Sequence, residues 1–328
     1  MLLTRRRMIA GCAGGAVALA ALPAGSQGAY PAKTITLVVP YPAGGTTDLL
    51  GRLVAEQLKT GLGATVIVEN KVGAGSGLGA NQVAKAQPDG YTLLMATSTT
   101  LAINKTLYPK LPYDPVADFT PIALVAGVPF ALIVNPSLPV NSLAEFVAYV
   151  KSKPGELSYG SAGNGSPQHL GAEMLKTAAG LDIRHVPYKG SVPAMHDVIG
   201  GHIALMVIDL QPALPLIREG KLKVLGVTTP ARVESAPEIP TLAEAGLAGF
   251  ELVAWQGVVA PAGVPRPIVD RLAGEIATLV SAPETRTKLK ALTLEPLTGS
   301  TPGTFAAYVK SEVERWAPIV KASGASLE

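Results

Sequence analysis

The chain has 328 residues, of which 48% are hydrophobic and 16% are charged. These values predict a globular protein with a large buried core, organised as two domains or as one long α/β domain. No cluster of lysine and arginine with interleaved aromatic residues is present, which argues against binding of nucleic acid.

Residues 1–29 have the pattern of a cleaved export signal. Arg5, Arg6 and Arg7 precede a run of small and apolar residues from 8 to 22, and small residues suited to a signal peptidase follow. The arginines also resemble those of a twin-arginine signal, so the export route and the cleavage site stay open. This segment holds the single cysteine and three of the 27 basic residues, which leaves 24 basic against 24 acidic residues. The rest of the chain is therefore predicted to be nearly neutral, without disulfides or thiol catalysis.

Residues 34–60 contain a strand, a glycine turn and a helix, a unit that recurs along the chain. The β-branched run 34–39 is typical of a strand buried on both faces of a parallel sheet. Gly44 and Gly45 then break the strand, and the side-chain oxygens of residues 46–48 are predicted N-caps of the helix. A helix start beside two glycines can bind an anion, although it can equally be a tight turn with nothing bound.

Further units follow in order. Thr97 and Ser98 end the predicted strand 91–96, where open α/β sheets hold ligands, but their hydroxyls could equally cap the next helix. The long apolar run 119–134 predicts a strand that leaves one domain and enters another. The turn 161–166 repeats the glycine and hydroxyl pattern before a helix. Asp209 ends the strand 203–208, where it either accepts from a ligand hydroxyl or ammonium group or caps the following helix.

Several stretches, in their order and spacing, resemble a known family. They include VPYPAGGTTDLLGRLVAEQL at 39–58, LPYDPVADFTPIALV at 111–125, YGSAGNGSPQHLGAEML at 159–175 and VPYKGSVPAMHDVIGGHIALM at 186–206. With these stretches the chain resembles the extracytoplasmic solute receptors of tripartite tricarboxylate transporters, the Bug family. The resemblance covers nearly all of the chain after residue 29.

The resemblance implies an α/β, type II periplasmic binding protein fold. In such a Venus flytrap, two doubly wound lobes are joined by two crossing strands and close over the solute. The expected boundaries are 30–127 and 228–328 for lobe 1, a discontinuous lobe, and 128–227 for lobe 2.

The resemblance also implies which residues bind the ligand. The turn after the first strand and the glycine turn of lobe 2 are expected to hold a carboxylate through backbone N–H groups and hydroxyls. These turns comprise Ala43, Gly44, Gly45, Thr46, Thr47 and Asp48 on one side and Ser161, Ala162, Gly163, Asn164 and Ser166 on the other. The predicted ligand-binding set is completed by Thr97, Ser98, His169, Tyr188, Lys189 and Asp209. Asp48 is expected to cap the helix and orient its loop rather than touch the carboxylate.

The implied function is that of a periplasmic receptor without catalytic activity, cofactor or metal. Its expected partners are a small organic carboxylate (a di- or monocarboxylate, an aromatic acid or an amino acid) and a membrane permease, and it is expected to be a monomer. An exported α/β hydrolase using Ser161 is the alternative, although Tyr159 stands where the Gly-x-Ser-x-Gly motif needs its first glycine. The sequence leaves open which solute is bound and whether the receptor serves a permease or a sensor.

Overall fold

The structure is a computed structural model that describes residues 30–327, so the predicted export signal lies outside the described residues. The strands are β1 (Ile35–Val39), β2 (Val66–Asn70), β3 (Thr92–Thr97), β4 (Phe119–Val134), β5 (Ser158–Ser161), β6 (Arg184–Pro187), β7 (Leu205–Asp209), β8 (Lys223–Val227), β9 (Val253–Pro261) and β10 (Glu295–Pro296). The helices are α1 (Thr46–Leu62), α2 (Gly77–Ala84), α3 (Asn104–Leu107), α4 (Leu143–Lys151), α5 (Pro167–Ala179), α6 (Ser191–Ile199), α7 (Leu210–Arg218), α8 (Arg266–Ser281), α9 (Pro283–Ala291) and α10 (Pro302–Ala322). None of the helices in this range is long and apolar enough to cross a membrane.

The strands form one mixed sheet with two regions. In the first region β1 lies between β2 and β3, and both pairings are parallel, while β3 pairs antiparallel with β9. In the second region β5 lies between β6 and β7, again in parallel. Both regions therefore have the parallel strand and helix arrangement that the repeated units predict.

Strand β4 connects the two regions because its halves have different neighbours. Its first half pairs antiparallel with β9, with Gly127 opposite Trp255. Its second half pairs antiparallel with β7 and β8, and Phe130 lies opposite Asp209. The predicted crossing strand is thus a single 16-residue strand that is buried along nearly its whole length.

The helices cover the sheet with their apolar faces. In α1 the leucine and valine side chains at Leu50, Val54 and Leu58 are fully buried, and full burial of such a side chain stabilises the fold by roughly 2 kcal/mol. Trp255 is also in the core: its indole N–H donates to Glu312 of α10 at 2.8 Å. Its ring packs edge-on against Phe305, and the residue also contributes to the wall of a cavity.

Two local details differ from the sequence prediction. The N-cap of α1 is Gly45, and no side chain caps that helix, so the predicted capping by residues 46–48 is wrong. Helix α9 was not predicted, because its charged sequence has little apolar periodicity: Leu289 is its only buried residue.

Candidate functional site

A cavity of about 480 Å³ lies where the loops after β1, β3, β5 and β7 meet. Because loops at the carboxyl ends of parallel strands lie at one edge of a sheet, this is the expected place for a ligand in an α/β fold. Val128 and Phe130 of β4, with Ala254 of β9, form an apolar part of its wall.

The first wall of the cavity is the N-terminus of α1. Gly45 and Thr46 line the cavity, and Leu49 N–H is the first amide of this helix that finds its acceptor, the Gly45 carbonyl. The amides of residues 46–48 have no acceptor within the described part of the chain. Unpaired amides at a helix start carry partial positive charge, so this wall presents donors to an anion.

Asp48 holds this wall in place without lining the cavity. Its buried carboxylate accepts hydrogen bonds from the Gly44 amide (3.0 Å), the Arg52 Nε (2.9 Å) and the Asn70 Nδ2 (2.9 Å). Burial raises the pKa of Asp48, but these hydrogen bonds outweigh it and lower the pKa to about 2. This carboxylate is therefore ionised at neutral pH and fixes the loop, as the sequence predicted for its orienting role.

The second wall is the turn between β5 and α5. Ala162 and Asn164 line the cavity, and their amides have no acceptor within the described part of the chain. Ser166 is the N-cap of α5, where its hydroxyl accepts from the His169 amide at 3.3 Å. The structure therefore brings two turns with free amides to the same cavity.

Behind the second turn lies a stack of aromatic rings outside the cavity. The rings of His169 and His185 are 3.9 Å apart and nearly parallel, and His169 Nδ1 accepts from the Gly165 amide at 3.1 Å. Burial and the neighbouring His169 lower the pKa of His185 to about 4, and burial lowers the pKa of His169. Both rings are thus neutral at neutral pH, and this stack supports the turn.

Ser161 belongs to this supporting layer. Its Oγ lies 2.6 Å from His185 Nε2 and accepts from the Gly163 amide at 3.1 Å. Its side chain is fully buried and does not line the cavity, and in residues 30–327 no carboxylate is hydrogen-bonded to His185. A serine nucleophile needs access to substrate and an oriented base, so the geometry gives the hydrolase alternative no support.

Asp209 is the charged member of the cavity wall. Its carboxylate accepts only long hydrogen bonds from Gln168 Nε2, at 3.3 and 3.4 Å. Its side chain makes no cap bond to α7, so of the two predicted alternatives the geometry favours the ligand-facing one. Burial raises the pKa of Asp209 to about 6, and the hydrogen bond from Gln168 offsets only part of this effect.

Hydroxyl and amide groups complete the wall near the end of β3. Thr97 Oγ1 lies 3.1 Å from the Tyr41 hydroxyl and 3.0 Å from Thr100 Oγ1, so it is already hydrogen-bonded. Ser98 Oγ and Gln256 Oε1 are buried without a hydrogen-bond partner. Buried polar atoms are normally paired, which makes these two atoms candidates for contact with a bound molecule.

The structure separates the predicted ligand-binding residues into two groups. Those that line the cavity are Gly45, Thr46, Thr47, Thr97, Ser98, Ala162, Asn164, Ser166 and Asp209. Those placed outside it are Ala43, Gly44, Asp48, Ser161, Gly163, His169, Tyr188 and Lys189. Tyr188 donates from its hydroxyl to Asp197 at 2.5 Å, and the exposed Lys189 only precedes the lining residues Gly190 and Ser191.

Sequence reasoning also missed residues of the cavity wall. They include Tyr41, Asn104, Leu107, Phe130, Gly165, Gln168 and Gln256. Tyr41 and Gly165 lie inside turns that were singled out, so the motif itself was a signal for them. Gln256 and Phe130 lie within strands, and only the pairing of β4 with its neighbours brings them to the cavity.

Solved structures of the same architecture are similar to this chain over nearly all of their length. Rpa4515 of R. palustris with adipate is 38% identical, with a TM-score of 0.83, over 91% of this chain and 100% of that one. The periplasmic binding protein BugD is 38% identical, with a TM-score of 0.79, over 91% and 100%. MatC of Rhodopseudomonas palustris with bound malate is 35% identical, with a TM-score of 0.78, over 89% and 100%. The fold is therefore that of a periplasmic binding protein, which confirms the predicted fold class.

The family follows from the sequence. Residues 50–325 match the family model described as the tripartite tricarboxylate transporter family receptor. The chain belongs to the tripartite tricarboxylate transporter receptor family, as its sequence motifs predicted. The proteins to which this chain is similar are solute receptors rather than enzymes.

Proposed function

We propose that this receptor works in the periplasm, where it captures a small carboxylate-bearing solute in the cavity and delivers it to a membrane permease. Two similar proteins, with adipate and with bound malate, support a carboxylate as the solute. The family description supports the permease partner, and BugD supports the compartment.

The observation that carries this proposal is the pair of amide-rich turns. One is the start of α1 at Thr46 and the other is the turn at Ala162 to Asn164, and both line one cavity. No lysine, arginine or histidine side chain lines this cavity within residues 30–327. Backbone amides at helix starts can bind a carboxylate without a cation, because each charge-assisted hydrogen bond is short and strong.

Closure of two lobes over the solute is part of the proposal. Lobe 1 would comprise residues 30–127 with the segment from 228 onwards, and lobe 2 would comprise 128–227. The division is supported by β4, whose first half pairs with β9 and whose second half pairs with β7 and β8. A solute that touches both turns would favour the closed state, because only that state provides both sets of donors.

We also infer that the receptor has no hydrolytic activity and acts as a monomer. Ser161 is buried behind the turn rather than facing the cavity, so a bound ester would not reach its hydroxyl. Ester hydrolysis that is lost in Ser161→Ala would contradict this inference.

A thermal-shift screen tests the proposed solute class. The panel contains adipate, malate, other organic acids, amino acids and sugars, together with the neutral diamide of each diacid as its matched control. A ligand that binds only the folded protein stabilises it by about 2.7 kcal/mol at a hundredfold excess over its dissociation constant. We expect at least one carboxylate, and not its diamide, to raise the melting temperature. Stabilisation by sugars alone, or by acid and diamide equally, would overturn the proposal.

A further inference from the structure

The charge balance of the cavity indicates a second feature of the solute. Among the cavity-lining residues between positions 30 and 327, Asp209 is the only one with a charged side chain. A receptor for an anion thus carries a negative charge in the wall of its own binding site.

The carboxylate of Asp209 is poorly satisfied. A carboxylate can accept about four hydrogen bonds, yet Gln168 Nε2 alone approaches it, at 3.3 and 3.4 Å. It takes part in no ion pair within the described residues, and its side chain does not cap the start of α7. Burial raises its pKa to about 6, which still leaves it ionised at neutral pH.

Asp209 is connected to the second turn through its hydrogen-bond partner Gln168. Its partner Gln168 lies in the first turn of α5, two residues beyond the N-cap Ser166, and all three residues line the cavity. A carboxylate bound at this turn would therefore lie near a second, negatively charged carboxylate. At about 4 Å and an effective dielectric constant of about 20, such a repulsion costs roughly 4 kcal/mol, and a positive charge between the two reverses its sign.

From this geometry we infer that the cavity takes an α-amino acid, whose carboxylate binds the turns and whose ammonium group donates to Asp209. The inference rests on the proposed function and narrows its solute class. An α-ammonium group fits this arrangement. In an α-amino acid the ammonium group is attached to the carbon next to the carboxylate, so a carboxylate bound at the turn brings the ammonium group towards Asp209. Its N–H donors can reach acceptor positions on the Asp209 carboxylate that Gln168 leaves free.

The opposite end of the cavity would contact the side chain of the amino acid. Gln256 lies opposite Ala126 of β4, and Asp209 lies opposite Phe130. These two positions of β4 are four residues apart, so about 13 Å of strand separates them. Ser98 Oγ and Gln256 Oε1, both buried without a partner, provide polar contacts at that end.

Calorimetric titration of matched acids tests the inference. The pairs are succinate with aspartate and glutarate with glutamate, malate serves as the hydroxyl counterpart, and the remaining common amino acids complete the panel. At about pH 7.5, we expect the best amino acid to bind roughly tenfold or more tightly than its parent acid without the amino group. In Asp209→Asn, that amino acid should lose roughly thirtyfold or more in affinity, while the parent acid should gain affinity. The exposed Asp270→Asn is the matched control and should change neither value.

The outcomes separate this inference from the proposed function. If parent acids or malate bind and amino acids do not, the inference is overturned and the carboxylate receptor stands. The inference is also overturned if an amino acid binds equally well in wild type and in folded Asp209→Asn, as checked by circular dichroism. If no carboxylate of either kind binds, the proposed function itself fails.

Discussion

Gly165 of the turn before α5 lies directly against Leu107 at the end of α3. A Cβ atom placed on Gly165 would come within 2.3 Å of Leu107 Cδ2, and the φ of Gly165 is +73°. Leu107 is only 2% exposed, and its carbonyl accepts from the Leu327 amide at 3.0 Å, so it has little room to move. The contact joins the proposed lobe 1 to the proposed lobe 2 at the rim of the cavity.

We therefore predict that Gly165→Ala weakens solute binding by preventing closure. The new methyl group would collide with Leu107 when the turn before α5 meets the end of α3, while the left-handed backbone at this position adds about 1 kcal/mol of strain. Calorimetry should show a loss of roughly tenfold or more, and small-angle scattering should show a more extended protein in the presence of solute.

The double variant Gly165→Ala with Leu107→Ala provides the control. Removing the leucine side chain makes space for the new methyl group, so we expect the double variant to regain affinity relative to Gly165→Ala alone. If the two single effects simply add, steric contact between these residues does not control closure.

Because Asp48 holds the loop before α1 in its ionised form, we expect the stability of the protein to fall in acid. The pKa of Asp48 is about 2 in the folded protein, below its usual value of 3.8. The stabilisation is therefore fully present above about pH 4 and is lost as the pH falls towards 2. We expect Asp48→Asn to lower the free energy of unfolding by about 2 kcal/mol at neutral pH, and the difference from wild type to shrink at low pH. Urea unfolding at several pH values measures it, and a difference that is constant with pH would contradict the assignment.

For the receptor without solute, we expect Asp209 to have the opposite effect on the pH dependence of stability. Its pKa is raised to about 6, so its ionised form destabilises the folded state at pH values above the unfolded pKa. Without solute, Asp209→Asn should thus be more stable than wild type by about 1–2 kcal/mol at neutral pH. The gain should disappear below about pH 4, where the carboxyl group is neutral in both states. If Asp209→Asn is less stable than wild type at neutral pH, the carboxylate must accept hydrogen bonds that the structure does not show.

The local units of this fold were predictable from sequence, whereas the full cavity was not. The β-branched run before Pro40 and the glycine turn before α5 are short-range signals, and the structure has strands and helices at both. The free amides at Thr46 arise because Gly45, the N-cap, provides no side-chain oxygen. The hydroxyl residues that follow Gly45 suggested a capped helix, and that prediction was wrong. Gln256 reaches the cavity through strand pairing with Ala126, a contact between distant parts of the chain that no local pattern reveals.

The side chains that hold the second turn in place were equally hard to predict. His169 was expected among the ligand-binding residues. Its ring instead accepts from the Gly165 amide and stacks on His185, which comes from the next strand along the chain. The chemistry of an imidazole fits both roles, and only the three-dimensional packing of α5 against β6 distinguishes them.

The central claim is that the amides at the start of α1 and at the turn before α5 bind the carboxylate of the solute. Gly45→Asp tests it most directly, because aspartate is a favourable N-cap and would occupy the amides itself. An added Cβ at Gly45 has open space, with Pro42 O the nearest atom at 3.7 Å, so the fold should be kept or slightly stabilised. Ala162→Asp places a carboxylate at the other turn, and the exposed Gly274→Asp, with no atom near its new Cβ, is the matched control.

The decisive measurement is calorimetric titration of the best carboxylate from the screen into these three variants, with circular dichroism to confirm folding. Repulsion between two carboxylates at about 4 Å amounts to roughly 4 kcal/mol in a partly dry site. We therefore expect Gly45→Asp and Ala162→Asp to lose roughly a thousandfold in affinity and Gly274→Asp to bind as wild type does. Near wild-type affinity in folded Gly45→Asp would contradict the account, because the carboxylate would then be bound elsewhere.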